Sequence, residues 1–163
     1  MDARLKTYFL RHGAAAEPGE WKKGSDFDRP LTDDGRERMA REAKAIRKLD
    51  LDLDAIITSP LARARETAEI VASALKITAI KEDARLGTGF DLGSLEEILQ
   101  DHADAKAIML VGHEPSMSST IGRLIGGARV DLKKGGLACV DLPDASSRAG
   151  VLLWLATPKL LLL

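Results

Sequence analysis

The chain has 163 residues, of which 45% are hydrophobic and 30% are charged, a composition typical of folded globular proteins and unlike that of disordered or fibrous chains. The formal net charge of -1 excludes an overall positive field that would attract nucleic acid or anionic lipid, so any anion site must be local. At this length we predict a single domain over residues 1–163.

The cysteine content and the chain's first and last residues indicate where the protein works. Cys139 is the single cysteine, so an internal disulfide cannot form, and residues 1–13 lack the apolar run and cleavage site of a secretory signal. Residues 151–163 are rich in leucine, but they are too few to span a bilayer and are interrupted by Pro158 and Lys159. We therefore expect a cytoplasmic protein whose last strand and apolar tail pack on the domain.

The first half of the chain alternates predicted strands and helices. A β-branched and aromatic run over residues 7–10 predicts a buried strand, and residues 14–30 form a long loop. A helix is predicted from Thr32, whose hydroxyl can cap its amino end, and a second strand over residues 54–58. Apolar residues at helical spacing then predict a second helix over residues 61–75.

The second half continues this alternation. A third strand is predicted over residues 77–80, and a glycine-rich loop over residues 86–93 leads to a short helix over residues 95–102. Residues 107–111 predict a buried strand, and a helical pattern begins at Pro115.

Two apolar runs, residues 137–142 and 151–155, then predict an antiparallel pair of strands. Strands that alternate with helices are typical of α/β domains. The predicted fold class is therefore an α/β three-layer sandwich, with a mostly parallel sheet and helices on both faces.

Basic and imidazole side chains follow three of the predicted strands. Arg11 and His12 come after the first strand, Arg63 begins the helix after the second, and His113 follows residues 107–111. Because ligands bind at the carboxyl ends of parallel strands, we expect these side chains to share one crevice. Guanidinium groups bind phosphate oxygens, and imidazole serves as nucleophile or hydrogen-bond donor. Taken alone, a histidine after a strand is more often structural, and an arginine early in a helix is a common solvated side chain; together these residues predict a phosphoryl site.

Four segments resemble the motifs of the histidine phosphatase superfamily, in the family's order. They are Leu10-Arg11-His12-Gly13, Arg29-Pro30-Leu31-Thr32, SPLARARET over residues 59–67, and Val111-Gly112-His113-Glu114-Pro115. The resemblance covers most of the chain. The short length and the Gly-His-Glu-Pro segment are similar to the compact phosphohistidine phosphatases of the SixA type. The resemblance implies a phosphoglycerate mutase-like fold and a phosphatase that needs neither a metal nor another cofactor.

The same resemblance implies roles for individual residues. His12 resembles the nucleophile that becomes phosphorylated, Arg11 and Arg63 resemble the phosphate clamps, and His113 resembles the histidine that donates to the phosphoryl oxygens. For Arg29 two roles stay open, contact with the phosphate rim or anchoring of its loop. Two roles also stay open for Glu114, which either protonates the leaving group or places a negative charge at the amino end of the next helix.

The expected activity is phosphate removal through a phosphohistidine intermediate. The first-ranked substrate is phosphohistidine on a protein, such as a histidine phosphotransfer domain, and no nucleic-acid or membrane partner is expected. Alternatives are a broad small-molecule phosphomonoesterase, a mutase and a noncatalytic module that binds phosphorylated ligands. The presence of His12 favours an enzyme over a binding module, and the short chain leaves little length for the lid of a mutase.

Other classes of phosphatase fit the sequence poorly. In the cysteine phosphatases an arginine follows the nucleophile after five residues, but the residue at that spacing from Cys139 is Ala145. The glycine-rich P-loop motif of nucleotide hydrolases is absent from the sequence. Cys139 is therefore expected to be a small buried thiol.

Overall fold

The computed structural model describes residues 4–163. Six strands form one sheet: β1 Leu5–Arg11, β2 Ala55–Thr58, β3 Ile80–Glu82, β4 Ala107–Gly112, β5 Leu137–Leu142 and β6 Val151–Ala156. The helices are α1 Asp33–Arg47, α2 Ala62–Leu75, α3 Leu92–Asp101, α4 Ser116–Leu124 and α5 Pro158–Leu161. The strand order is β3-β2-β4-β1-β5-β6, and the sheet is mostly parallel, with antiparallel pairing confined to β1-β5 and β5-β6. The predicted α/β three-layer architecture is confirmed.

The side chains of β1 explain why helices cover both faces of the sheet. Phe9 lies in an apolar cluster with residues of α3 and α4, whereas Tyr8 and Leu10 lie in a second cluster with residues of α1 and α2. Successive side chains of a strand point to opposite faces. A central strand that is apolar on both faces must therefore be covered on both.

Short polar side chains set the starts of two helices. Thr32 accepts a hydrogen bond from the Gly35 N–H at 2.9 Å, as expected of the residue that caps α1. Asp91 accepts from the Ser94 N–H at 2.9 Å in the same way. Because Asp91 caps α3, this helix begins at Leu92, three residues earlier than its predicted start.

The third strand was predicted at the wrong place. Lys76 adopts a left-handed conformation, with φ of 58°, and ends α2. The N–H of Ile77 then donates to the Ala72 carbonyl at 2.9 Å, so Ile77 completes the helix end instead of pairing in the sheet. The Ala79 carbonyl accepts from the Ile56 N–H at 2.9 Å, and the strand itself begins at Ile80, opposite Ile56.

The last residues pack largely as expected. β6 pairs with β5 in antiparallel fashion, and α5 lies against α1. Leu161 joins the apolar cluster on that face, whereas Leu160 is 57% exposed. Within residues 4–163, none of the helices combines the length and the apolar character needed to cross a membrane.

The strand register brings several chain segments to one edge of the sheet. Arg11, the last residue of β1, pairs with Gly112 at the end of β4, and Thr58 at the end of β2 pairs with Val111. β5 runs in the opposite direction, and its first residue, Leu137, pairs with Leu10. The segment before β5 therefore reaches the same edge as the ends of the three parallel strands.

Candidate active site

His12 follows β1 directly and is buried, with 7% of its surface exposed. Its backbone N–H donates to the Gly112 carbonyl at 3.1 Å, which ties the end of β1 to the end of β4. The ring atom Nδ1 lies 2.7 Å from the Gly13 carbonyl oxygen. Because a carbonyl oxygen can only accept, Nδ1 carries the proton, and in the neutral ring Nε2 keeps a free electron pair.

The surroundings of His12 keep its ring neutral. Burial lowers its pKa to about 3, the hydrogen bond to Gly13 opposes this shift, and His113, Arg63 and Arg11 lower the pKa further. A positive ring is disfavoured here because it would lose hydration and face like charges. Near neutral pH the Nε2 atom is therefore available to attack an electrophile.

Close packing on α1 explains the glycine after His12. A Cβ atom at Gly13 would lie 2.6 Å from Met39 Cγ, which is too close for any larger residue without a shift. The Gly13 N–H donates to Thr67 Oγ1 at 3.1 Å, and Thr67 donates in turn to the Arg63 carbonyl at 2.8 Å. Thr67 thus links the loop after β1 to the first turn of α2.

His113 follows β4, and its ring lies beside that of His12. The two ring centres are 5.2 Å apart, with an angle of 55° between the planes. His113 is 3% exposed, and its burial, followed by the charge of Arg63, lowers its pKa to about 4. This ring is therefore also neutral near pH 7.

Ser59 determines which nitrogen of His113 can face a ligand. Ser59 Oγ lies 2.7 Å from His113 Nε2 and accepts from the Leu61 N–H at 3.3 Å, so its own proton can be donated to Nε2. The ring proton of His113 then resides on Nδ1. That atom is buried and has no hydrogen-bond partner in the described part of the chain, so it can donate to a ligand oxygen.

Arg63 lies in the first turn of α2 and is 4% exposed. Its Nη1 donates to the Asp26 carbonyl at 2.9 Å, and its Nη2 to the Asp26 carboxylate at 3.1 Å. Burial lowers the pKa of Arg63 from its usual value, but a guanidinium group stays charged in proteins. Its Nε is buried and unpartnered within residues 4–163, which leaves a charged donor for an anion.

Arg11 supplies a second guanidinium group at this edge of the sheet. Its Nη1 donates to the Leu132 carbonyl at 3.0 Å. Its Nε is buried, and no hydrogen-bond partner for it lies among the described residues. The structure thus brings His12, His113, Arg63 and Arg11 together at the carboxyl ends of the parallel strands, where the sequence placed them.

Arg29 is observed in the anchoring position of its two predicted roles. Its Nη1 donates to the Ala16 carbonyl at 2.7 Å, and its Nε forms an ion pair with Asp26 at 3.0 Å. The same carboxylate binds Arg63 at 3.1 Å. Arg29 therefore holds the loop before α1 in place, and it also adds positive charge near Arg63 and His113.

Glu114 is engaged with the helix that follows it. Its Oε1 accepts from the Ser118 N–H at 2.9 Å, in the first turn of α4. A carboxylate at the amino end of a helix satisfies a free N–H and is favoured by the helix dipole. This contact matches the second of the two roles predicted for Glu114.

Four residues for which no role was predicted hold these groups in place. They are Asp26, Ser59, Glu66 and Thr67. Glu66 accepts from the Leu31 N–H at 2.7 Å and from Arg36 Nη2 at 2.8 Å, which joins the loop before α1 to α2. Three of the four lie within the SPLARARET motif, whose spacing could have identified them. Asp26 lies in the long loop, where no local pattern marks it.

The resulting arrangement suits a phosphoryl group. A neutral nitrogen nucleophile lies beside two guanidinium groups with unpaired donors and an imidazole N–H, which together can neutralise charge on phosphoryl oxygens. Within the described residues, no group of three or more His, Cys, Asp or Glu side chains is placed to hold a metal ion.

Comparison with known proteins identifies relatives of the whole chain. The family model described as the histidine phosphatase superfamily, branch 1, matches residues 7–88. An uncharacterized protein of Picosynechococcus sp. is 33% identical over 97% of this chain and 99% of its own length. The protein named Probable phosphoglycerate mutase GpmB from Klebsiella pneumoniae is 33% identical over 87% of this chain, which spans 66% of that protein.

Solved structures share the same fold. The structure of the protein histidine phosphatase SixA in complex with tungstate has a TM-score of 0.83 to this chain. The two chains are 23% identical, and the match covers 95% of this chain and 98% of that one. At this identity the likeness shows a common fold alone.

Proposed function

We propose that this chain, which belongs to the histidine phosphatase superfamily and is thus a phosphatase or mutase, removes phosphate from phosphohistidine on a protein through a phosphorylated His12. The observation that carries this proposal is the 2.7 Å hydrogen bond between His12 Nδ1 and the Gly13 carbonyl. It leaves Nε2 as a neutral nucleophile beside the phosphate-binding donors. We further propose that residues 1–163 act as one domain.

In the first step of the proposed reaction, His12 Nε2 attacks phosphorus. The new N–P bond forms as the bond to the leaving group breaks, and the leaving group takes that electron pair and a proton from solvent water. Arg11, Arg63 and the Nδ1–H of His113 stabilise the charge on the three equatorial oxygens. The phosphorylated ring of His12 is positive, and the Gly13 carbonyl stabilises it through Nδ1.

In the second step, water attacks the phosphoryl group on His12. The oxygen of water bonds to phosphorus, the P–Nε2 bond breaks, and its electron pair returns to Nε2. The proton released from water leaves with the phosphate product or passes to solvent. His12 is then neutral again, and the donors that stabilised the first step serve the second unchanged.

The contacts of Glu114 support an activated leaving group. An imidazole leaves phosphorus readily, whereas an alkoxide needs a proton from a general acid in the transition state. Glu114 is the residue that could supply such an acid next to His113, but its Oε1 is bound to the Ser118 N–H. The proposed substrate is therefore phosphohistidine, in keeping with the fold shared with a protein histidine phosphatase.

The relatives named Probable phosphoglycerate mutase favour a second candidate, a mutase that returns the phosphoryl group to another hydroxyl. This chain spans 66% of their length, and a mutase site has to exclude water while the phosphoryl group is transferred. A broad phosphomonoesterase is the third candidate. Product analysis separates these activities, since a phosphatase releases inorganic phosphate and a mutase releases an isomer of its substrate.

The nucleophile is tested by rapid quench with a substrate labelled in its phosphoryl group. We expect an acid-labile, base-stable adduct on the wild-type protein, as is characteristic of a phosphorylated histidine. His12→Ala should give no adduct and lose at least about four orders of magnitude in turnover. His102→Ala, at the end of α3, is the matched control and should label normally. An adduct on Ser59 or Cys139 would overturn the mechanism.

A substrate panel tests the proposed substrate class. It contains a phosphohistidine protein, an aryl phosphate and an alkyl phosphate, each assayed for phosphate release with and without EDTA. We expect release in the order phosphohistidine, aryl, alkyl, with no effect of EDTA and with inhibition by vanadate. Alkyl phosphates as the best substrates would establish the phosphomonoesterase instead, and loss of activity in EDTA with recovery on adding a divalent cation would refute the metal-free mechanism.

A further inference from the structure

A cleft of about 530 Å³ lies beside the candidate active site, and of its lining residues only Arg11 takes part in the proposed reaction. We call this cavity the basic cleft, because five cationic side chains line it: Arg11, Arg38, Lys133, Lys134 and Lys159. Its other lining residues, Thr157 and Pro158, are uncharged. In a chain whose formal net charge is -1, this is a local concentration of positive charge.

Little of that charge is neutralised by the chain itself. Lys133 pairs with Asp131 at 2.8 Å, but the two side chains are 61% and 74% exposed, and such exposed pairs are weak. Arg38 lies 3.7 Å from Glu42. Burial raises the pKa of Glu42 to about 7, so this carboxyl carries only part of its negative charge near neutral pH.

The remaining two lysines have no counter-charge in the structure. Lys134 and Lys159 are both exposed, and neither forms an ion pair anywhere in residues 4–163. Positive side chains that line a concave surface without neighbouring carboxylates raise the local concentration of anions.

The loop that carries two of the lysines is fixed to the candidate active site. The N–H of Gly135 lies 3.1 Å from the carbonyl oxygens of both Arg11 and His12. The Arg11 N–H donates to the Gly136 carbonyl at 3.1 Å. These backbone contacts place Lys133 and Lys134 at the rim of the site rather than on a free surface loop.

The conformation of Gly135 allows this close approach. Its φ is +76°, and a Cβ atom there would lie 2.6 Å from Glu42 Oε2. A residue with a side chain would be strained in this conformation and would displace Glu42. The turn therefore lies tightly against α1, beside Arg38 of the basic cleft.

Arg11 belongs to both sites. It lines the basic cleft, it contributes to the low pKa of His12, and its buried Nε has no partner in the described chain. We propose that the basic cleft binds a second anionic group of the substrate, a carboxylate or a phosphate, while the phosphoryl group to be transferred lies at His12. This inference rests on the proposed function, because it assumes that the phosphoryl group binds at His12.

The proposal is tested by the ratio of kcat/KM values within matched pairs of substrates. One pair consists of phosphotyrosine peptides whose flanking residues are Glu or Gln. The other pair is benzene-1,4-diyl bisphosphate and phenyl phosphate, with kcat/KM expressed per phosphoryl group because the bisphosphate carries two. We expect the wild-type protein to prefer the more anionic member by about threefold to tenfold at low salt, and the preference to fall in 0.5 M NaCl, at roughly a 4 Å screening length.

Variants connect this preference to the basic cleft. Lys134→Ala combined with Lys159→Ala should lower the ratio to about one. The matched control combines Lys48→Ala with Lys106→Ala, which removes two exposed lysines at the opposite end of the sheet and should leave the ratio unchanged. A larger ratio for the peptide pair identifies acidic side chains as the second group, and a larger ratio for the bisphosphate identifies a phosphate.

Two results would overturn the inference: a wild-type ratio of one in both pairs, or an unchanged ratio in the cleft variant. Failure of the proposed function is separate, because it would appear as the absence of phosphorylated His12. In that case the cleft is still tested by calorimetric binding of the Glu and Gln peptides to the His12→Ala protein. The inference requires that the Glu peptide bind about threefold to tenfold more tightly and that the cleft variant abolish this difference.

Discussion

Arg63 donates to Asp26 through both terminal nitrogens of its guanidinium group: Nη1 to the carbonyl at 2.9 Å and Nη2 to the carboxylate at 3.1 Å. Arg63 is nearly buried, whereas the Asp26 side chain is 55% exposed. Arg29 binds the same carboxylate at 3.0 Å. The loop before α1 thereby determines how a buried arginine in α2 is oriented.

Asp26→Ala should lower kcat/KM by about tenfold, because a misplaced clamp loses alignment with the transferred phosphoryl group. Asp28→Ala, in the same turn, is the matched control, since its carboxylate contacts Ser25 instead of Arg63. The measurement is steady-state hydrolysis of an aryl phosphate by both variants. A faster Asp26→Ala enzyme would mean that Asp26 competes with the phosphoryl group for Arg63.

Arg63→Ala should reduce kcat by about a hundredfold to a thousandfold, as expected for loss of a donor to a developing charge. Arg65→Ala should change kcat by less than about twofold, since Arg65 is 44% exposed and its nearest charged partner is Glu82, at 3.9 Å. The two variants remove the same side chain two positions apart in α2. Equal losses would show that the phosphoryl group lies elsewhere than at the end of β2.

Glu114→Gln should change the hydrolysis of aryl and alkyl phosphates alike and only slightly. The amide oxygen of Gln can still accept from the Ser118 N–H, so the variant loses only the favourable charge at the amino end of α4, about 0.3–1 kcal/mol of stability. The readouts are kcat/KM for both ester types and the urea midpoint. A loss of a hundredfold or more that is confined to alkyl phosphates would identify Glu114 as the general acid.

Unfolding at two pH values tests the burial of a neutral His12. Its pKa is about 3 in the folded chain against an ordinary 6.5. Between pH 3 and pH 6.5 the unfolded chain therefore binds a proton at His12 that the folded chain does not. The stability from His12 is complete above pH 6.5 and is lost as the pH falls through 3. From pH 7 to pH 5 that loss is about 2 kcal/mol.

Between pH 7 and pH 5, the free energy of unfolding of His12→Asn should therefore fall by about 2 kcal/mol less than that of the wild type, as measured by urea denaturation. The comparison removes the contributions of other titrating groups, because both proteins contain them. Parallel losses in His12→Asn and the wild type would show that His12 is protonated in the folded chain.

Local patterns predicted most of the fold. The capping of α1 by Thr32 and the antiparallel pairing of β5 with β6 both follow from short-range signals, and both are observed. The prediction of the third strand was wrong because Ile77 is a residue type that favours strands but completes the end of α2. The end of α2 depends on the left-handed conformation of a single residue, Lys76, and a pattern of apolar residues does not predict such a conformation.

The candidate site was predictable where its residues follow strands in sequence. His12, Arg63 and His113 each lie within a few residues of a strand end, and parallel strands bring such positions together. Asp26 was not predictable, because its contact with Arg63 joins residues 37 positions apart, and no local sequence pattern marks its place in the long loop. Lys133 and Lys134 of the basic cleft were missed because they precede β5, which reaches the site only by running antiparallel to β1.

The attachment at Gly135 makes the position of this loop's backbone independent of the charge on its side chains. Its backbone is held by the carbonyls of Arg11 and His12, while the side chains of Lys133 and Lys134 are exposed. Replacing these two lysines would therefore alter what the rim attracts without displacing the nucleophile. Substrate preference can therefore change at Lys133 and Lys134, in evolution or by design, without a change in the position of the catalytic residues.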